Sequence, residues 1–185
     1  MALDTDNIRV YGDGNIYIAA YGTTLPSTLA GSLATGFSDL GYITEDGIQI
    51  NEEIETLEVG AWQAYGPVVL KRTKSTCRVV IPSLELNDTV RVAYHDGGSY
   101  SSSGASERKF TPPVGGSFRE WSIIADLDDG NDTERYVFTR CVLTAKDGLT
   151  ISKGGATAAS MTFTVLSGDD GAAGWVRYES RTVTS

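Results

Sequence analysis

His95 is the only histidine in the chain, and it lies next to Asp96 and just before the serines between Ser99 and Ser103. A nucleophile, an imidazole base and an orienting carboxylate could all be drawn from this stretch. What it lacks is the strand–turn–helix elbow that presents such a serine, so His95 reads as a solvated turn residue. The run Asp126-Leu127-Asp128-Asp129-Gly130-Asn131-Asp132 concentrates side-chain oxygens in one short loop, as calcium requires. Its glycine comes too early for an EF-hand and no glutamate closes the loop. A solvated hairpin turn is the better reading, with weak calcium binding left open. Cys77 and Cys141 each sit in a strand-like run and form no CxxC pair. They read as small core residues, with a disulfide between them left open. Gly12-Asp13-Gly14 does not open a strand–helix unit and is no nucleotide fingerprint. The expectation is no catalytic residue, no cofactor and no metal.

Composition sets the frame these groups must sit in. The chain has 185 residues, 41% hydrophobic and 21% charged, which suits a single globular domain. Its 21 glycines and its runs of Thr, Val, Ile and Tyr point to a turn-rich β protein. The net charge of −9 argues against a phosphate-gripping surface, because such binding draws on an excess of Lys and Arg. Lys71, Arg72 and Lys74 form one local basic patch, which reads as a charged guard on an exposed strand edge. No run is apolar and long enough for a membrane-spanning helix, and the N-terminus has no signal-like core. The expected place of synthesis is therefore the cytoplasm.

A strand is expected over 15–21, followed by a Gly/Ser/Thr-rich loop over 22–36 and a strand over 37–43. Glu45-Asp46-Gly47 makes a tight turn. It launches an extended arm, about 47–74, whose outgoing strand spans 47–59. Ile48, Ile50 and Ile54 share one face of that strand, whereas Leu57 and Val59 lie on the other. A strand has period two, so this switch implies a bulge or a change of environment. Thirteen residues at roughly 3.3 Å each also exceed a typical strand. Trp62 and Tyr65 fall at the tip, where they are costly to expose singly and valuable at an interface. Folding back onto the body is the competing account of them. A return strand is expected over 68–74 and another over 76–81. Asn87 can cap a short helix with Leu86, Val90 and Ala93 on one face, although Val90 and Val92 also fit a strand. Residues 96–117 read as a mobile Gly/Ser-rich loop. Strands follow at 121–127, 133–145, 159–165 and 175–183, with turns at 128–132 and 168–171. The strand over 133–145 is apolar on both faces and so reads as central. The expected class is mainly β: a two-sheet antiparallel sandwich or barrel-like fold with one short helix.

The segment Leu40-Gly41-Tyr42-Ile43-Thr44-Glu45-Asp46-Gly47-Ile48, then Ala61-Trp62 after a long extended run, resembles the tail tube proteins (major tail proteins) of long-tailed bacteriophages. The likeness continues through 78–94, 137–142 and 158–165. It implies one tail tube domain over 1–185 that assembles into hexameric rings stacked as a tube. Strands from each copy would line a lumen that carries DNA into the host. Implied partners are further copies of the chain, a tape measure protein, tail-tip proteins and a terminator. The implied location is the virion. On this view Tyr42, Ile54, Leu57, Val59, Trp62 and Tyr65 are candidate subunit contacts. Glu52, Glu53, Glu55 and Glu58 are candidates for an acidic lumen wall, with an outer solvated face as the other reading. Two rivals stand beside the tube: a secreted or surface β-sandwich that binds carbohydrate or a cell surface, and a calcium-dependent all-β enzyme.

Overall fold

A computed structural model describes residues 8–102, 106–130, 132–168 and 174–180. The strands are β1 (Asp13–Ala20), β2 (Ser38–Asp39), β3 (Gln49–Gly60), β4 (Pro67–Ser83), β5 (Ser99–Ser102), β6 (Arg108–Thr111), β7 (Glu120–Asp128), β8 (Thr133–Lys146), β9 (Ala159–Val165) and β10 (Trp175–Glu179). The helix α1 spans Asp88–Tyr94. Eight strands form one sheet in the order β2-β1-β7-β8-β9-β4-β3, with β10 also pairing β8, while β5 and β6 form a separate ladder. All the strand pairs are antiparallel. The mainly β class with antiparallel sheets and one helix is as expected.

The core is one cluster on one side of the large sheet, under α1. Ile16 and Ile18 of β1, Ile123 of β7, Phe138 of β8, Phe163 of β9 and Ile81 of β4 all belong to it. In β8 both Phe138 and Cys141 are core residues, although three positions separate them. Trp121 opposes Cys141 and Ile123 opposes Phe138, so β8 holds one extra residue there. This bulge at 139–140 inverts the parity of the strand. It explains why β8 is apolar on both faces in sequence: the faces exchange part-way along. On the reverse side, Ile124 and Val137 are buried directly opposite each other.

The loop over 22–36 is fastened to that reverse side. The Arg135 guanidinium donates through Nε and Nη2 to the Asp126 carboxylate (2.6 and 2.7 Å) and through Nη1 to the Gly31 and Thr28 carbonyls (2.6 and 3.3 Å). Asn87 caps α1 as expected: its Oδ1 accepts from the Val90 N–H at 2.9 Å, and its Nδ2 donates to the Leu40 carbonyl.

Several expectations are corrected. The strand over 37–43 shrinks to Ser38–Asp39, because Gly41 takes φ +76° and turns the chain. A Cβ at Gly41 would lie 2.4 Å from the Glu85 carboxyl, which accepts the Tyr42 N–H. The two return strands of the arm are one continuous strand, β4. The segment over 96–117 carries the β5–β6 hairpin, in which Tyr100 opposes Phe110. His95 is not a solvated turn residue. It ends α1, half-buried between the Tyr94 and Phe110 rings, both with centroids 5.2 Å away. Burial, then Lys146 and Arg91, lowers its pKa, which opposes its protonation. The two cysteines are free. Both oppose Val165, one on each side of β9, so their backbones are about 9–10 Å apart at normal strand spacing, too far for a disulfide. Burial pushes the Cys77 thiol up to about 11 and the Cys141 thiol up as well. The turn at 168–171 and the end of the last strand at 181–183 fall wholly or partly outside the described residues.

Candidate functional site: an exposed hairpin arm

The arm is the β3–β4 hairpin beyond the body. Its root is anchored where Ile50 opposes the buried Val79. From Glu52 outward every residue of β3 is exposed, and β4 is exposed from Pro67 to Ser75. Both faces of this two-stranded ribbon meet solvent. Residues 61–66 close it, with the Ala64 N–H donating to the Ala61 carbonyl at 3.0 Å.

Directly opposed residues share a face, so the register sorts the side chains. One face continues the core side and carries Glu52, Ile54, Thr56 and Glu58 beside Cys77, Ser75, Arg72 and Leu70. The other carries Asn51, Glu53, Glu55, Leu57 and Val59 beside Arg78, Thr76, Lys74, Lys71 and Val69. The irregularity expected in the outgoing strand lies in its partner. Glu55 opposes Lys74 and Thr56 opposes Arg72, so Thr73 is the extra residue, and its Oγ1 donates to the Glu55 carbonyl at 3.0 Å. The switch from Ile54 to Leu57 is therefore a true change of face along β3, on a ribbon with neither face covered.

Five of the six expected contact residues lie on this arm. Ile54, Leu57 and Val59 are about half exposed, while Trp62 is 99% exposed and Tyr65 fully so. The aromatic tip residues do not fold back onto the body. Tyr42, also exposed, stands apart on the body near the arm's root. Val68, Val69 and Leu70 add exposed apolar surface that sequence reasoning assigned only to a return strand. Their unbroken run beside a tip was the available signal.

The four acidic candidates divide between the faces. Glu53 pairs with Arg78 at 2.6 Å and Glu55 with Lys74 at 3.3 Å. Glu52 and Glu58 lie on the opposite face, where neither makes an ion pair among the described residues. No one face of the hairpin carries all four.

The Asp126–Asp132 loop has no metal-like cluster among the described residues. The Arg9 guanidinium instead bridges Asp129 and Asp132, so a side-chain cation already occupies that corner. Asp126 is committed to Arg135.

An antiparallel β body that carries a long unpartnered ribbon fits a protein built to join others. The family model for phage tail tube proteins matches residues 1–184. The chain belongs to the phage tail tube protein family. Membership makes it a structural component of a tail tube. Two solved structures are similar in chain course. One is the tail of an empty gene transfer agent (GTA) particle determined by helical refinement with C6 symmetry, at 11% identity, covering 90% of this chain and 96% of that one, with a TM-score of 0.43. The other is the virion of a native gene transfer agent particle, at 10% identity, covering 97% and 100%, with a TM-score of 0.44. A search of curated proteins finds no match.

Proposed function

We propose that this tail tube protein closes into rings of six and that the rings stack into a conduit for DNA. The observation that carries this is the arm: a ribbon exposed on both faces, with eight large apolar residues open to water between Ile54 and Leu70. A two-stranded hairpin standing alone is marginal in water. Such a surface calls for a partner, and contiguous exposed apolar area marks interaction sites. In a tube the partner is another copy. Contacts around a ring close, contacts along the axis stay open, and each copy therefore needs two different adhesive surfaces.

The side of β3, β4 and β9 away from the core is the candidate bore wall. It carries Asn51, Glu53, Thr76, Arg78, Thr162 and Thr164. Its acids face cations in cis, as Glu53 with Arg78 and Glu55 with Lys74. Arginine and lysine already paired to carboxylates give phosphates little to hold. Six copies at −9 each bring −54 to a ring, so DNA would slide along such a wall. Glu53 and Glu55 are the acidic positions proposed for the bore, with Glu52 and Glu58 turned toward neighbouring copies. Tape measure, tail-tip and terminator proteins are the further partners of this reading, the virion is its location, and it involves no catalysis.

Negative-stain electron microscopy of the concentrated protein tests it. Rings or tubes of uniform bore are expected. A monomer that persists at high concentration and binds a glycan would favour the carbohydrate-binding alternative.

A further inference from the structure

A groove of about 990 Å³ opens at the arm's root, between the start of β1 and the turn over 41–48. Ile43, Ile48, Leu127 and Tyr136 give it an apolar floor. Asp13, Asp39, Glu45, Asp46 and Glu85 line it, and among the described residues no lysine or arginine does. Its size is at the upper end of pockets that enclose whole ligands. The arm has the opposite character. Between 56 and 73 it carries Lys71 and Arg72 against Glu58, a net of +1 in a chain of −9. Among the described residues neither Lys71 nor Arg72 has a carboxylate partner, while Lys74 and Arg78 do. The exposed Trp62 and Tyr65 lie at the tip, further out than these cations by about 13 Å, the length of four strand residues from Lys71 to Pro67.

The tip cannot enter the groove of its own copy. Gly60 lies ten residues beyond Ile50 along β3, a span of about 33 Å. We propose that the groove receives the arm of a second copy, with Trp62 and Tyr65 at its tip over the apolar floor and with Lys71 and Arg72, on the two faces of the ribbon behind the tip, against the acids that line the groove, Glu45 and Asp46 among them. This rests on the self-assembly reading and names the surface that reading leaves open. The joint is heterologous, tip to root, so each copy that gives an arm offers its own groove to the next, and the chain of contacts propagates. Complementary charge sets the register and suppresses wrong pairings, while the aromatics anchor.

A photoreactive benzoylphenylalanine in place of Trp62 tests the joint in the full chain. Mixing isotopically light and heavy protein before irradiation identifies cross-links between copies. They are expected in 11–15 and 39–48, and cross-links elsewhere, or none, overturn the proposal. A charge swap gives a second readout that does not disturb the fold, because Glu45, Asp46, Lys71 and Arg72 are all exposed. Glu45→Lys with Asp46→Lys, or Lys71→Glu with Arg72→Glu, should each raise the concentration needed for assembly about tenfold. All four together should restore it. Groove variants that assemble like the unaltered chain, whatever else fills the groove, overturn the proposal. Microscopy keeps the two ideas apart. Tubes with cross-links outside the groove overturn this joint and leave the tube standing, whereas groove cross-links without tubes do the reverse.

Discussion

Phe138 and Trp62 are both large aromatic residues, yet one is sealed at 0% exposure and the other stands 99% open. Around Phe138, β7, β10 and the Tyr136 and Trp175 rings enclose the side chain. Around Trp62 there is only the end of a two-stranded ribbon. The body stabilises itself by burial, in the ordinary way of a β domain. The arm has the same kind of side chains and no surface of its own to bury them against. Apolar character alone thus separates nothing: what differs is whether the fold supplies the other half of the contact.

That contrast makes its largest prediction in a matched pair of truncations. Phe138→Ala should cost about 3–5 kcal/mol, the range for an aromatic lost from a packed core. At roughly 2–4 °C per kcal/mol, melting should fall by about 6–20 °C. Trp62→Ala, melted below the assembly concentration, should shift by under about 1 °C, since nothing in its own copy packs on it. Assembly should respond the other way, with Trp62→Ala weakening it by about tenfold or more, as for an anchoring aromatic. A clear drop in monomer melting for Trp62→Ala would mean the tip is a core residue after all. Deleting 54–68 extends the same test: a folded monomer that no longer polymerises is expected, and tubes formed without those residues would remove the arm from the account.

The next effect concerns how the body holds its own loop. Arg135 is 8% exposed and bonds to Asp126 and to two carbonyls of the 22–36 loop. Arg135→Ala leaves Asp126 and those carbonyls without their donor, at a cost of about 2–3 kcal/mol. That is below the usual cost of halving a buried pair, because the Asp126 side chain is 29% exposed. Amide exchange over 28–31 should rise with it. Arg135→Lys should rescue little, since an ammonium cannot reproduce the planar fork. If exchange in the loop does not change, the guanidinium is not what fastens it.

How far the sequence anticipates all this differs between the same two regions. The arm was legible in its main features, because a Glu-Asp-Gly turn, a long extended run and a Trp-bearing tip are local signals. Its detail was not: the extra residue is Thr73 in β4, and a bulge is a property of a pair, visible only once the partner is known. The body hid more. The exchange of faces at Thr139 and Arg140 made β8 look apolar all round. Arg135 gave no signal, since its loop partners are carbonyls more than a hundred positions away. His95 precedes a Ser/Gly-rich stretch whose order comes from pairing across a hairpin, Tyr100 opposite Phe110, and pairing of that kind leaves no local signal in sequence.

His95 carries a pH prediction confined to the body. Its pKa is lowered in the fold, so the unfolded chain, near 6.5, binds the proton more readily. Stability should therefore be level above about pH 6.5 as far as this group is concerned, and should decline as pH falls below it. His95→Gln should flatten that limb in a denaturant titration repeated from pH 7.5 to 5. The chain with 54–68 deleted should keep the limb, because the arm holds no histidine. An unchanged limb in His95→Gln would assign the acid sensitivity to other groups.

The smallest effect asks whether the arm's own ion pairs stiffen it. Lys74 and Glu55 lie 3.3 Å apart, with side chains 60% and 62% exposed. A pair this wet gains little Coulomb energy and loses side-chain freedom to hold its geometry. Lys74→Ala should change folding stability by less than about 0.5 kcal/mol, and added salt should erase even that. The contrast between body and arm depends on this near-silence. A ribbon held straight by its own charges would need no neighbour, and then Lys74→Ala would lower the melting temperature of the isolated copy by several degrees. A null result leaves another copy as what orders the arm, and locates its stabilisation in the assembled tube.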